Sequence, residues 1–188
     1  MTFDARHSVG DGLNHLAGRL DPIIASRLAP HLHGLSWTVV LSELDKAHGK
    51  PPKVYAANDL QAQLKMLTER LGGIGFPFDD HSRLVSTLGN ELRIVRNRWA
   101  HNDELTTLDA WRAHDFVVRL LDNFGDVDGV AQAAKLRDEA FGALAAEKGV
   151  AVHVAVPEPQ PESVAIMVAA GPDAEVVAPD PSVLTRTE

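Results

Sequence analysis

Residues 91–103, Glu-Leu-Arg-Ile-Val-Arg-Asn-Arg-Trp-Ala-His-Asn-Asp, hold the densest group of side chains in this sequence that could do chemistry together. Histidine, arginine and asparagine suffice for RNA strand scission without a metal. The RNA 2′-hydroxyl can attack its own neighbouring phosphate if a base takes the hydroxyl proton and a cation stabilises the charge that develops on phosphorus. His101 suits the first task, because an imidazole titrates near neutrality. Arg96 suits the second, because its planar fork grips phosphate oxygens in pairs. Asn97 lies four residues before His101, hence beside it on a helix, and could orient the ring. Arg93, Arg98 and Asn102 are candidate RNA contacts around this trio. Arg96 and His101 are five residues apart, about 140° around an ideal helix, so they do not share a face. Arginine could wrap part of that angle, the pair could work across a dimer interface, or the helix end could unwind. The competing reading is a helix end whose cations merely complement the dipole.

The elements that must position these residues are helical. Leu84, Leu88, Leu92, Val95 and Trp99 recur every three or four residues, the longest clean helical signal in the chain, and it carries the motif at its C-terminal end. Asp79 or Asp80 can start this helix. Asn58, with Gln61 three residues on, can cap a preceding helix whose buried face is Leu60, Leu64, Leu67 and Leu71, stopped by Gly72-Gly73. Thr106 or Thr107 can cap a following helix through Leu108, Trp111, Val118, Leu121 and Phe124, closed by Gly125. An alanine-rich helix from Val130 to about Lys148 ends at Gly149. Upstream, Leu13, Leu16, Leu20, Ile23 and Ile24 mark a helix, Pro22 suits the first turn of a second one, and Trp37, Val40, Leu41 and Leu44 form another stripe ended by Gly49-Lys50-Pro51-Pro52. Trp99 and Trp111 fall in apolar stripes, which favours core packing over stacking on bases. His114, next to Asp115, reads as a surface residue.

Bulk properties bound the function. The chain has 188 residues, 45% hydrophobic and 23% charged, as expected of a globular protein with a full core. Without cysteine, disulfides, thiolate metal sites and cysteine nucleophiles are excluded. His31, His33, His48 and His81 lack zinc-like spacing with carboxylates, and Gly72-Gly73-Ile74-Gly75 lacks the lysine of a phosphate loop, so no metal and no cofactor is expected. No apolar run is long enough to span a bilayer, and the first residues lack a secretory signal, so the expected place is the cytoplasm. The net charge of −8 opposes non-specific duplex binding. From Ala151 onward the chain carries −5, leaving −3 on residues 1–150, and Arg93, Arg96 and Arg98 could still make a local positive patch.

Three stretches, residues 58–70 (AsnAspLeuGlnAlaGlnLeuLysMetLeuThrGluArg), 75–79 (GlyPheProPheAsp) and 91–102 (GluLeuArgIleValArgAsnArgTrpAlaHisAsn), resemble the HEPN superfamily, specifically its Swt-type branch. The resemblance runs from Tyr55 to about Gly125 and is weaker over residues 1–50. It maps the family's Arg-polar…His motif onto Arg96, Asn97 and His101. It implies an all-α, up-and-down helical bundle that dimerises with two motifs facing one cleft, which in active members is a metal-independent endoribonuclease. A dimer would let the arginine of one copy serve the histidine of the other. Asp103 departs from the tyrosine that HEPN toxins under nucleotidyltransferase antitoxins carry two residues after the histidine. The expectation is therefore a homodimeric RNA-cleaving enzyme of defence or toxin type, with a separately encoded antitoxin, helicase or ATPase as possible partner. The alternative is a non-catalytic HEPN module that binds RNA or a protein. The expected organisation is N-terminal helices over 1–50, packed on or part of the bundle, a HEPN core over 51–149, and a Pro/Ala/Val-rich acidic tail over 150–188 in which 151–156 and 164–170 could each form a strand.

Overall fold

The first helix of the computed structural model, α1 (Ala5–Leu32), runs for 28 residues and touches four of the five helices that follow. The structure describes residues 2–51 and 53–150, and among them are six α-helices and no strand. The two candidate strands at 151–156 and 164–170 lie outside the described residues.

Pro22 does not open a second helix; it lies inside α1, as does Pro30. An interior proline costs about 3 kcal/mol. Leu16, Leu20, Ile24 and Leu28, at helical spacing, have no exposed surface, and each such side chain stabilises by about 1.5–3 kcal/mol. Burial of that one stripe therefore outweighs the proline, and the helix continues. Two glycines let α1 approach the bundle closely. A Cβ on Gly10 would meet the Trp99 indole at 3.1 Å, and one on Gly12 would overlap the His114 ring at 2.6 Å.

α2 (Thr38–Ala47) is held through Asp45. Its buried carboxylate accepts from the Tyr55 hydroxyl at 2.5 Å and from Lys65 Nζ, on the next helix, at 2.9 Å. These two bonds hold the Asp45 carboxyl below its ordinary range. α3 (Leu60–Thr68) buries Leu60, Leu64 and Leu67 as its spacing predicts. Its cap is Asp59 rather than Asn58: the Asp59 carboxylate accepts from Gln61 N at 3.0 Å. The helix also stops before Gly72-Gly73. The Thr68 hydroxyl donates to Leu64 O at 2.9 Å, Glu69 is extended, and Leu71 N turns to Gly75 O, with Leu71 still buried.

α4 (Leu84–Ala100) begins later than Asp79 or Asp80. Asp79 caps the helix from outside it, while Asp80 organises the turn that leads in. Asp79 accepts from Ser86 N at 3.0 Å, and Asp80 accepts from Ser82 N at 2.8 Å. α5 (Thr107–Asn123) starts with the capping box of Thr106 and Asp109, and Gly125, at φ 72°, follows its end. Its buried face is Ala110, Ala113, His114, Val117, Leu120 and Leu121, so of the expected stripe only Leu121 is fully buried. The small side chains of Ala110 and Ala113 are what a closely packed neighbour needs, whereas Trp111 turns aside onto Phe141, ring centres 6.4 Å apart. α6 (Val127–Glu147) packs along α5 and starts three residues earlier than Val130. Its cap, Asp126, accepts from Gly129 N at 3.1 Å and also pairs with Arg19 of α1.

His114 is not at the surface. It is 1% exposed, its Nε2 shares a 2.8 Å hydrogen bond with the Ser8 hydroxyl, and its Nδ1 has no partner. Burial pushes its pKa down to about 4. In the unfolded chain the imidazole regains a proton near 6.5, so between those values the unfolded state holds the extra proton and stability falls as pH falls. Urea unfolding from pH 7 to pH 4 should show a loss of about 3 kcal/mol from this group, and His114→Leu should flatten that part of the profile.

Candidate functional site

The last turn of α4 presents the residues at 96–102, and how that turn ends fixes where each of them sits. His101 occupies the C-cap at φ −90° and ψ 8°, and Asn102 follows in the left-handed region at φ 60°. Asp103 N donates to Arg98 O at 3.0 Å and Asn102 N to Trp99 O at 3.4 Å. This pair of crossed bonds is a Schellman closure, with asparagine in the place glycine usually takes. The helix therefore does not unwind before His101.

Two arginines hold this end in place. Arg6, from the first turn of α1, donates to Trp99 O and to Asn102 Oδ1, both at 2.5 Å, and its guanidinium lies 5.8 Å from the centre of the Trp99 ring. Arg98 donates to Asp109 Oδ1 at 3.0 Å and to Glu104 O at 2.7 Å. The Arg98 guanidinium, helped by the Thr106 amide and hydroxyl, holds the Asp109 carboxyl down to about 2. One carboxylate thus joins the end of α4 to the capping box of α5. Arg93 donates to the Thr68 hydroxyl at 3.3 Å across the α3–α4 contact.

The remaining motif residues are uncommitted. Arg96 is half-buried and makes one long bond, 3.4 Å, to its neighbour Asn97 Oδ1. Asn97 and His101 are exposed, and among the described residues the His101 ring has no hydrogen-bond or acidic partner. The structure brings Asn97 and His101 to one exposed face without a hydrogen bond between them. It leaves Arg96 on a different side of α4, beside a cleft of about 170 Å³ that is also lined by Asn14 of α1, by Asn58 and Asp59 at the start of α3, and by Trp99. Trp99 is half-buried, between core and cleft. Asn102, the other candidate contact, spends its side-chain oxygen on Arg6.

Two features escaped the sequence reading. One is Arg6, ninety residues away from the segment it clamps; nothing in its local sequence marks it. The other is Ile94, 56% exposed on the motif helix. Asn90, Ile94, Asn97 and His101 are spaced four, three and four apart and all are exposed, so an apolar side chain stands in the middle of a polar stripe that ends on the histidine. That spacing was available in the sequence, hidden by the stronger buried stripe on the opposite side. Among the described residues no group of three His, Cys, Asp or Glu side chains could hold a metal, and no helix is long and apolar enough to cross a membrane.

The family model for Swt1-like HEPN domains matches residues 11–125, more than half of the chain. This protein belongs to the Swt1-like HEPN family. No curated protein and no solved structure matches it. The matched stretch of the HEPN domain begins within α1, far ahead of Tyr55, and ends at Gly125, closing α5. Arg6 and Ser8, which tie α1 to α4 and α5, precede the matched residues, and α6 follows them.

The clamp has a measurable consequence. Arg6→Ala removes two charge-assisted bonds to the end of α4, each worth about 1.5 kcal/mol or more in such a setting. Amide exchange at Asn102 and Asp103 should speed up at least tenfold, while exchange in the middle of α5 should change by no more than the global loss of stability.

Proposed function

We propose that this HEPN domain is a metal-independent endoribonuclease that cuts single-stranded RNA as a homodimer, in a defence or toxin setting. His101 takes the proton of the attacking 2′-hydroxyl, Arg96 binds the scissile phosphate and neutralises the charge developing on it, and Asn97 orients the site. The P–O5′ bond breaks, the departing 5′-oxygen takes a proton from water or from the protonated His101, and the products carry 2′,3′-cyclic phosphate and 5′-hydroxyl ends. The observation that carries this reading is the division of labour among the basic groups of the segment. Arg6, Arg93 and Arg98 are engaged within the fold, whereas Arg96 and His101, the two that the family motif singles out, have no acidic partner among the described residues.

The dimer follows from the same geometry. Arg96 and His101 diverge by about 140° within one chain, so a single copy does not converge them on one phosphate. The exposed stripe of Asn90, Ile94, Asn97 and His101 offers a self-complementary seam, with Ile94 as its apolar centre and asparagine as the register-setting polar residue. Across such a two-fold contact Arg96 would act with the partner's His101. In a toxin setting the activity would be held in check by a separately encoded antitoxin, helicase or ATPase. The divergence of Arg96 and His101 is also what favours the other reading, a HEPN module that binds RNA or a protein partner without cutting.

Cleavage of a labelled single-stranded RNA in EDTA separates the two. Wild type should cut and leave cyclic phosphate ends; His101→Ala should lose at least about a hundredfold in rate, the usual contribution of a positioned general base. Ile94→Glu should be folded, monomeric and equally inactive. RNA that is bound but left uncut by the folded dimer would favour the binding module.

A further inference from the structure

Arg96 lines one side of a cleft whose remaining lining is of a different kind. Leu13 and Trp99 give it an apolar wall, and Asn14, Asn58 and Asp59 stand at its rim. Its volume, about 170 Å³, suits one flat heteroaromatic base. Asn14 and Asn58 are exposed, and among the described residues neither side-chain amide has a hydrogen-bond partner. Asp59 uses Oδ1 as the cap of α3, accepting from Gln61 N at 3.0 Å, and its second oxygen has no such duty. An apolar wall for a ring face, with amides and a carboxylate at the edge, is how proteins take up a splayed-out base of single-stranded RNA.

We infer that this cleft is a base-reading subsite, which takes the nucleobase next to the phosphate held by Arg96 and prefers guanine. The preference follows from charge and hydrogen-bond type. A carboxylate only accepts, so Asp59 favours a base edge that offers donors, and guanine offers two side by side, N1–H and N2–H. The O6 acceptor of guanine then needs a donor, which the Asn14 or Asn58 amide supplies. Adenine and uracil present an acceptor where guanine presents at least one of these donors, and so face the carboxylate with a repulsive contact. This inference rests on RNA being the ligand of the Arg96 site, and it adds which nucleotide is read and by which residues.

The test uses full-length His101→Ala protein, so that binding is read whether or not the wild type cleaves. Fluorescence anisotropy would compare short single-stranded oligonucleotides that differ only in one central base: guanine, inosine (guanine without the 2-amino group), adenine, cytosine or uracil. Guanine should bind about tenfold more tightly than adenine or uracil, with inosine between them, the scale of one good bidentate edge contact. Asp59→Asn should abolish the preference while keeping the helix, because asparagine caps as well as aspartate; Asn14→Ala should weaken it. Arg96→Ala should lower affinity for all the oligonucleotides alike. Equal affinity for every base, with Asp59→Asn and Asn14→Ala indistinguishable from the parent, would overturn the subsite and leave RNA binding intact. Absence of binding to any oligonucleotide would overturn the subsite together with the RNA reading on which it rests.

Discussion

An α-helix leaves its last carbonyls without partners, and in this protein those carbonyls lie directly beneath the motif histidine. Satisfying them is the constraint from which the rest of the site follows. The Schellman closure through Asn102 and Asp103 takes the carbonyls of Arg98 and Trp99, and Arg6 adds a second donor at Trp99 from the far side. Because Arg6 reaches the helix end from α1, the turn that carries His101 is tied to the longest element of the fold. Arg98 then ties it to α5 through Asp109, so three helices meet at one point. The uncommitted groups, Arg96, Asn97 and His101, stand on a helix end whose Asn97, Arg98 and Trp99 carbonyls are already paired, which favours a site held at fixed geometry.

The position of α1 is bought with small residues. Gly10 admits the Trp99 indole and Gly12 admits the His114 ring, so the N-terminal turns of α1 lie close enough for Arg6 to reach α4 and for Ser8 to reach His114. Buried near neutral charge, His114 packs α1 on α5 but leaves one ring nitrogen unpaired, so the same contact that seats the clamp weakens in acid. Support and site are thus coupled through α1, although the family match begins only at residue 11.

Much of this architecture is legible in the sequence, and the exceptions have a common cause. Helices α3 to α6 follow from the spacing of Leu60, Leu64 and Leu67, of Leu84, Leu88 and Leu92, and from the Thr106 cap, because apolar periodicity and local hydrogen bonding act over a few residues. Where the expectation failed by more than a helix boundary, a distant partner decided. Pro22 stays inside α1 because the core takes Leu16, Leu20, Ile24 and Leu28. His114 is buried because Gly12, a hundred residues earlier, leaves room for it. The candidate site was legible to the extent that its residue types were: Arg96, Asn97 and His101 share a helix end as the spacing implies. That Arg98 and Asn102 serve the helix end, and that Asn14 and Asp59 border Arg96, depends on contacts between elements that no local pattern encodes.

In the proposed dimer, two copies of this HEPN domain build each site together, Arg96 from one and His101 from the other. Mixing Arg96→Ala and His101→Ala chains, each carrying its own tag, and purifying the mixed dimer tests it directly. One composite site would regain both groups and the other would have neither, so the mixed dimer should recover about half of the wild-type cleavage rate, although each variant alone is inactive. A verified mixed dimer with no activity above either parent would contradict the shared site and place the chemistry within a single chain.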